Sequence, residues 1–290
     1  MSWIELSLHI PQDTLEQVSA YLFAHGCEGI NVTEDRIIIY FNTYRWSNEI
    51  KLGIIEYLRM VIPGFSERNI RVKSVTDHDW TSDWKKYFRP LRATSRIVII
   101  PPWEKYNPQT GEILIKINPK MAFGTGHHES TRLVIIEMEK VIQEGMHVLD
   151  IGTGSGILAI LAEKLGAESV LGIDNDLTAI RNAHENAGLN KTGSSVNFAF
   201  AELHDLRESQ YDLLLANINR NYLMQSAGDF GRYLKQKGIL VLSGILRTDE
   251  QQIVREFVNK GFRLVRKNAM KDWLVLVMEL VHKEDETNNN

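Results

Sequence analysis

A glycine-rich turn follows a short apolar segment near the middle of the chain. Residues 147–151 have the composition of a buried strand and include Asp150, and the next five residues are Gly152, Thr153, Gly154, Ser155 and Gly156. Glycines at such a position let the backbone approach a ligand and turn sharply into a helix. A dinucleotide site favours the spacing G-x-G-x-x-G, with the pyrophosphate at the helix N-terminus. This turn is G-x-G-x-G with a carboxylate just before it.

A second carboxylate, Asp174, ends the next predicted strand about 20 residues farther on, where it can accept hydrogen bonds from ribose hydroxyls. A helix N-cap is the alternative role for Asp174, although Asp176 could occupy that position instead. The carboxylate of Asp150 repels a pyrophosphate and suits an ammonium group. S-Adenosylmethionine carries an ammonium group and a ribose but no phosphate. The two carboxylates, with Gly152 and Gly154, therefore favour S-adenosylmethionine over a phosphorylated cofactor.

Upstream of the turn, residues 121–131 precede a predicted amphipathic helix. Their glycines and small hydroxyl residues form a loop that can fold closely over a ligand, and the candidate contacts are Phe123, Gly124, Thr125 and Thr131. For Ser130 and Thr131, helix capping is the alternative role. The adjacent His127 and His128 point in different directions and lack an accompanying Cys or carboxylate set. We therefore predict no metal site.

Asn217 follows an apolar strand predicted over residues 212–216. Open α/β sheets bind ligands at the carboxyl ends of their strands, and a carboxamide can both donate and accept hydrogen bonds. We therefore treat Asn217 as a candidate catalytic and cofactor-binding residue. The alternative is an asparagine that completes a turn at the end of the strand.

From residue 145 onward, strand and helix patterns alternate, and the predicted strands are residues 147–151, 169–173, 196–200, 212–216, 238–242, 262–267 and 273–280. Continuously apolar strands indicate a parallel sheet covered by helices on both faces. The last two strands are too close in sequence for a crossover, so they should form an antiparallel hairpin. We predict an α/β domain over residues 119–281 that resembles the Rossmann-like, seven-stranded fold of class I methyltransferases.

Residues 1–75 have the order β-α-β-β-α-β, which predicts a ferredoxin-like α+β domain. Residues 76–118 are rich in tryptophan and proline, and we interpret them as a packed linker with a small hairpin formed by residues 96–100 and 112–117. A surface on which bases stack is the alternative, but the basic stripe that normally accompanies such a surface is missing. The polar residues 282–290 are predicted to be a disordered tail.

Composition limits the possible partners and compartments. The formal net charge of -4 provides no global basic field, so direct, specific binding of nucleic acid is not expected. The single cysteine, Cys27, cannot form an intramolecular disulfide, and the first residues lack the pattern of a secretory signal. No apolar run is long enough to span a bilayer. We expect a cytoplasmic protein without a membrane segment.

Four ordered segments carry a more specific resemblance: residues 122–127, 149–160, 216–218 and 242–246. Together they resemble the PrmA family, whose members methylate the large-subunit ribosomal protein numbered eleven. The resemblance extends into residues 79–90 and, less specifically, into the ferredoxin-like domain, which corresponds to the substrate-recognition domain of the family. It implies that the cofactor is bound by Thr131, Gly152, Asp174 and Asn217.

The resemblance implies methyl transfer from S-adenosylmethionine to a lysine side chain or N-terminus of a ribosomal protein, free or on the ribosome. Asn217 and neighbouring loops would position the nitrogen, and His127 or His128 could assist its deprotonation. The chain departs from the commonest family pattern at residues 219–221, where Asn-Arg-Asn replaces a more apolar, proline-containing segment. Alternative functions are a small-molecule or RNA methyltransferase with the same cofactor site, or a non-catalytic module that binds S-adenosylmethionine.

Overall fold

A computed structural model describes most of the chain, namely residues 2–11, 14–32, 36–76, 89–119, 124–207 and 209–281. The chain divides into two compact units, Met1–Tyr87 and Phe88–Asn290. The predicted tail at residues 282–290 and most of the family-like segment at residues 79–90 lie outside the described residues. Within the described ranges, no helix is long and apolar enough to cross a membrane.

The first unit has the element order that its sequence predicts: β1 (Ser2–Leu8), α1 (Leu15–Ala24), β2 (Gly29–Val32), β3 (Ile37–Asn42), α2 (Asn48–Val61) and β4 (Arg71–Thr76). The strands form one antiparallel sheet in the order β2-β3-β1-β4. Leu6 of β1 pairs with Ile39 of β3, and both side chains are buried with Leu22 and Leu58 of the two helices. This topology confirms the ferredoxin-like prediction.

The second unit begins with a small sheet of three strands, β5 (Leu91–Arg92), β6 (Ile97–Ile100) and β7 (Ile113–Lys116). Strand β6 is antiparallel to β5 but parallel to β7. The predicted hairpin between residues 96–100 and 112–117 is therefore wrong. The connection over residues 101–112 is about a dozen residues long, which is enough for a parallel crossover.

A buried carboxylate holds that connection in place. Glu112 accepts hydrogen bonds from the Tyr106 hydroxyl at 3.0 Å and from the Gln109 N–H at 2.8 Å, and it also pairs with Arg92. Because Arg92 belongs to β5 and Glu112 immediately precedes β7, this network links the two outer strands of the small sheet.

The remaining elements form a larger α/β structure: α3 (Glu129–Val141), β8 (His147–Ile151), α4 (Ile157–Lys164), β9 (Ser169–Asp174), α5 (Leu177–Asn190), β10 (Val196–Phe200), β11 (Tyr211–Asn217), α6 (Arg220–Ser226), α7 (Phe230–Tyr233), β12 (Leu234–Leu246), α8 (Glu250–Asn259), β13 (Phe262–Met270) and β14 (Trp273–Leu280). Seven strands form one sheet in the order β10-β9-β8-β11-β12-β14-β13. The first five are parallel, whereas β14 is antiparallel to both β12 and β13. This arrangement confirms the predicted class I methyltransferase fold and its final hairpin.

The central strands are buried on both faces. Leu213 and Leu215 of β11 belong to one apolar cluster, whereas Leu214 and Ala216 belong to the other. Such burial explains why the strand is continuously apolar rather than alternating. Because β8, β9 and β11 are parallel, their carboxyl ends lie at one edge of the sheet, where the candidate residues are found.

Candidate active site

The glycine turn requires glycine for conformational and steric reasons. Gly152, Gly154 and Gly156 have φ angles of 70°, 55° and 79°, in the left-handed region that favours glycine. A Cβ atom at Gly152 would lie only 2.4 Å from Cγ2 of Ile218. The Gly152 N–H donates to the carbonyl of Ile173 at 2.9 Å, which ties the turn to the end of β9.

Asp150 lies at the end of β8, just before this turn, and its side chain is fully buried. The Thr153 hydroxyl donates to Oδ2 at 2.6 Å, whereas Oδ1 has no hydrogen-bond partner among the described residues. Burial raises the pKa of Asp150 to about 7, and the nearby charge of Asp174 also favours the protonated form. The Thr153 hydroxyl and the Ala159 N–H act in the opposite direction and lower the pKa. An approaching cation would stabilise this carboxylate.

Asp174 faces the glycine turn. Its Oδ2 accepts from the Gly154 N–H at 2.9 Å, and its Oδ1 accepts from the Asp176 N–H at 3.0 Å. Asp176, not Asp174, is the N-cap of α5, because its side chain accepts from the Thr178 N–H at 2.7 Å. The capping alternative for Asp174 is therefore wrong. The Ala201 N–H donates to the backbone carbonyl of Asp174 at 3.1 Å, so the segment after β10 lies beside the end of β9.

Asn217 ends β11 and is only 9% exposed. Its Nδ2 donates to Oγ1 of Thr131 at 3.2 Å, although the two residues are 86 positions apart. Its Oδ1 is buried and has no hydrogen-bond partner among the residues described. The following helix is instead capped by Asn219, which accepts from the Tyr222 N–H at 2.9 Å. Asn217 thus presents an oriented amide with a vacant acceptor rather than completing a turn.

The loop before α3 lies close to the glycine turn. Gly124 and Gly126 have φ angles of 99° and 83°, and the Ser155 hydroxyl donates to the Gly124 carbonyl at 2.5 Å. A Cβ atom at Gly124 would lie 2.8 Å from that hydroxyl oxygen, so glycine is required for the approach. Thr125 accepts from the His127 N–H at 3.4 Å. The other loop candidate, Phe123, lies outside the described residues.

His128 is the N-cap of α3. Its Nδ1 accepts from the Ser130 N–H at 3.3 Å and lies 2.8 Å from the Ser130 hydroxyl, and its ring contacts Trp273 edge-on. Because a backbone N–H can only donate, Nδ1 is the acceptor in this contact. Neither Ser130 nor Thr131 is the cap. The geometry of Nδ1 is thus accounted for by helix capping.

Sequence reasoning missed Asn186, which joins the segment before the loop to the glycine turn. Its Nδ2 donates to the Ser155 carbonyl at 2.8 Å, and its Oδ1 accepts from the Asn118 N–H at 2.8 Å. One turn later, Asn190 accepts from the Lys116 N–H at 2.9 Å. Asparagines four residues apart on one helical face would have been the available signal.

The described residues contain no group of three or more His, Cys, Asp or Glu side chains placed to hold a metal ion. The arrangement instead offers two buried oxygen acceptors without partners, on Asp150 and Asn217. It also offers the Asp174 carboxylate and a close-packed glycine turn. These groups fit a cationic nucleoside better than a phosphate ester, because the acceptors would repel a phosphate.

Comparisons with known proteins agree with this geometry. The family model described as Ribosomal protein L11 methyltransferase (PrmA) matches residues 2–280. The ribosomal protein L11 methyltransferase of Acetivibrio thermocellus is 32% identical over 310 residues, which cover 96% of this chain and 98% of that protein. Its counterpart from Ruminiclostridium cellulolyticum is 40% identical over 236 residues, which cover 80% and 72% respectively.

A crystal structure of the ribosomal protein L11 methylase from Lactobacillus delbrueckii subsp. bulgaricus superposes with a TM-score of 0.64 at 30% identity. The match covers 67% of this chain and 100% of that one. The family model spans both compact units, and the relative from Acetivibrio thermocellus matches over nearly the whole chain. This chain therefore belongs to the ribosomal protein L11 methyltransferase (PrmA) family and is a methyltransferase.

Proposed function

We propose that this chain transfers methyl groups from S-adenosylmethionine to amino groups of ribosomal protein L11, on lysine side chains or the N-terminus. The observation that carries the proposal is the Asn217 amide. It is fixed by Thr131 at the carboxyl edge of the sheet, and its Oδ1 is buried without a partner in the described parts of the chain. The family membership supports the same reaction.

The cofactor supplies a methyl group on a positively charged sulfur. Each oxygen of Asp174 accepts one backbone N–H, which leaves acceptor capacity for the ribose hydroxyls. Asp150 would favour a cation next to the turn, because its charged form is otherwise destabilised by burial. The backbone of Gly152 and Gly154 allows close approach from one side. The loop that contains Gly124 and Thr125 can cover the ligand from the other.

The incoming amine must be neutral to act as a nucleophile, whereas a lysine side chain in water has a pKa near 10.4. Oδ1 of Asn217 can accept a hydrogen bond from the N–H of a neutral amine and so direct its lone pair toward the methyl group. Holding the reacting atoms in line can contribute about 7 to 11 kcal/mol to the acceleration. Since the His128 side chain caps a helix, we assign deprotonation to water rather than to that imidazole: loss of solvent around the ammonium lowers its pKa, and its proton passes to bulk water before the amine is enclosed.

We assign recognition of the protein substrate to residues 1–75 and the chemistry to residues 119–281. The ferredoxin-like sheet has its own apolar core and contains none of the candidate cofactor residues, which supports this division. Binding energy from a remote surface of L11 can then be used to align the reacting amine.

The test is incubation of the full chain with labelled S-adenosylmethionine and purified L11, alongside ribosomal RNA and a small-molecule extract. We expect label in L11 and, by mass spectrometry, on amino groups. Label only in RNA or in a small molecule would overturn the substrate assignment. Cofactor binding with no transfer to any acceptor would instead indicate a non-catalytic binding module.

Two variants refine this experiment. Asp174→Ala removes a charge-assisted contact worth about 1.5 to 3 kcal/mol, so the Kd for S-adenosylmethionine should rise roughly 10- to 150-fold. Asn217→Ala should lower kcat because the amine loses its acceptor. An unchanged Kd for Asp174→Ala would contradict the ribose role.

A further inference from the structure

Residues 219–221 lie just after the strand that carries Asn217 and begin the next helix. Asn219 caps α6, and Arg220 is the first residue of that helix. The Arg220 Nε lies 3.2 Å from Oδ1 of Asp249 in an ion pair that lacks hydrogen-bond geometry, whereas Nη2 donates a hydrogen bond to Oε1 of Gln252. Arg220 therefore contacts two residues that follow β12.

Asp249 is itself anchored. Its Oδ2 accepts from the Leu246 N–H at 3.1 Å, so the carboxylate joins the end of β12 to the start of α8. Both side chains of the ion pair are partly buried, with exposures of 35% for Arg220 and 21% for Asp249. Partial burial reduces the screening of this ion pair by solvent ions.

On the side away from Arg220, Ile218 packs against two glycines, Gly152 and Gly244, so closely that neither position has room for a side chain. A Cβ atom at Gly152 would lie 2.4 Å from Cγ2 of Ile218, and one at Gly244 would lie 2.3 Å from the Ile218 carbonyl oxygen. Gly244 has a φ of 80° and belongs to an irregularity of β12 between Leu242 and Ile245. The segment after Asn217 is thus fixed by shape at Ile218 and by an ion pair at Arg220.

We propose that Arg220 is a positioning residue for methyl transfer. Through its contacts with Asp249 and Gln252, Arg220 immobilises the segment after β11. This keeps the side-chain amide of Asn217 in a fixed position relative to the glycine turn. The proposal rests on the proposed function, because it concerns the alignment of the amine rather than the affinity for cofactor.

The expected signature is a fall in kcat without a matching loss of cofactor affinity. The contacts of Asp174 and Gly154 belong to β9 and the glycine turn, and Arg220 contacts neither of them. Misplacement of a reacting group by about 1 Å can cost on the order of 100-fold in rate. We therefore expect Arg220→Gln to lower kcat about 10- to 100-fold, with a change of less than about twofold in the Kd for S-adenosylmethionine.

The experiment compares Arg220→Gln, Asp249→Asn and the double variant in the full chain, using methylation of L11, calorimetric binding of cofactor and hydrogen exchange. Both single variants remove the ion pair, and Arg220→Gln also removes the hydrogen bond to Gln252, so it should have the larger effect. The double variant should lose little more than Arg220→Gln alone, because the ion pair can be lost only once. Arg220→Lys should be intermediate, since it keeps a charge near Asp249 but loses the fork that reaches Gln252. Arg232→Gln, at an exposed pair with Asp229, is the matched control and should change nothing.

Hydrogen exchange separates this proposal from the proposed function, since it needs no acceptor substrate. In Arg220→Gln, backbone amides of residues 218–223 should exchange faster, while those of β8 and β9 remain unchanged. Unchanged exchange, fully additive losses, or equal losses of kcat and cofactor affinity would each overturn the positioning role. Failure of the unmodified chain to methylate L11 would refute the proposed function but leave the exchange result as the test of the Arg220 contact.

Discussion

Replacement of Asp150 by asparagine tests how a buried carboxylate affects both stability and cofactor binding. The side chain is fully buried, and burial raises its pKa from 3.8 to about 7. The folded state therefore holds the proton more tightly than the unfolded chain. The cost of ionising Asp150 is absent below pH 3.8, grows between pH 3.8 and pH 7, and is complete above pH 7.

The size of that cost follows from the difference in pKa. A difference of about three pH units corresponds to about 4 kcal/mol, of which about 3 kcal/mol develops between pH 5 and pH 8. Asp150→Asn cannot ionise, so its stability relative to the unmodified chain should rise by that amount over this interval. Any constant penalty of the new amide, such as an unpartnered N–H, cancels from the comparison.

Thermal unfolding without cofactor at pH 5 and pH 8 measures this difference. For a protein of this size, about 3 kcal/mol corresponds to roughly 6 to 12 °C in the Tm difference between the two chains. Ionisation of Asp150 lowers the stability of the chain but should raise its affinity for the cofactor. The unmodified chain should bind the cationic cofactor more tightly at pH 8 than at pH 5, whereas the variant should bind it weakly at both. If the Tm difference between Asp150→Asn and the unmodified chain is the same at pH 5 and pH 8, the cost that we assign to ionising the buried Asp150 is refuted.

Two further predictions concern the turn and the domains. Gly152→Ala should abolish methyl transfer and lower the Tm, because its φ is 70° and a Cβ atom would overlap Ile218. The matched control is Gly188→Ala, which lies in open space on α5 and should stabilise the chain by about 0.5 to 1 kcal/mol. Comparable effects of the two substitutions in thermal unfolding would contradict this reasoning. Removal of residues 1–75 should preserve cofactor binding but greatly reduce methylation of L11, measured on one monodisperse sample; transfer near the full-length rate would contradict the recognition role.

Periodicity and strand order explain why much of the site was predictable. Parallel strands in a doubly wound sheet end at the same edge, so Asp150, Asp174 and Asn217 were expected to lie near one another before any contact was known. The hairpin of β13 and β14 followed from a connection too short for a crossover. These inferences rest on chain geometry, which sequence spacing determines directly.

Other features depend on contacts between distant segments, which spacing does not specify. Strands β6 and β7 are both rich in isoleucine, and a connection of about a dozen residues permits either direction. Asn186 was not predicted, because its contacts with Asn118 and Ser155 join segments that are distant in sequence. His128 was a candidate for proton transfer because of its residue type. The structure shows that it caps α3, a role that depends on backbone geometry and could not be inferred from the residue type.

The sheet order has a consequence for synthesis of the chain. Strand β14 is the last strand in sequence, yet it lies between β12 and β13, and β13 pairs with no other described strand. Its residues Leu276 and Met278 are completely buried in the core. During translation, β13 must therefore wait without its neighbour until β14 has left the ribosome, and the edge of β12 stays open over the same interval. A nascent chain interrupted before residue 273 should expose this edge and be a target for chaperones and proteases.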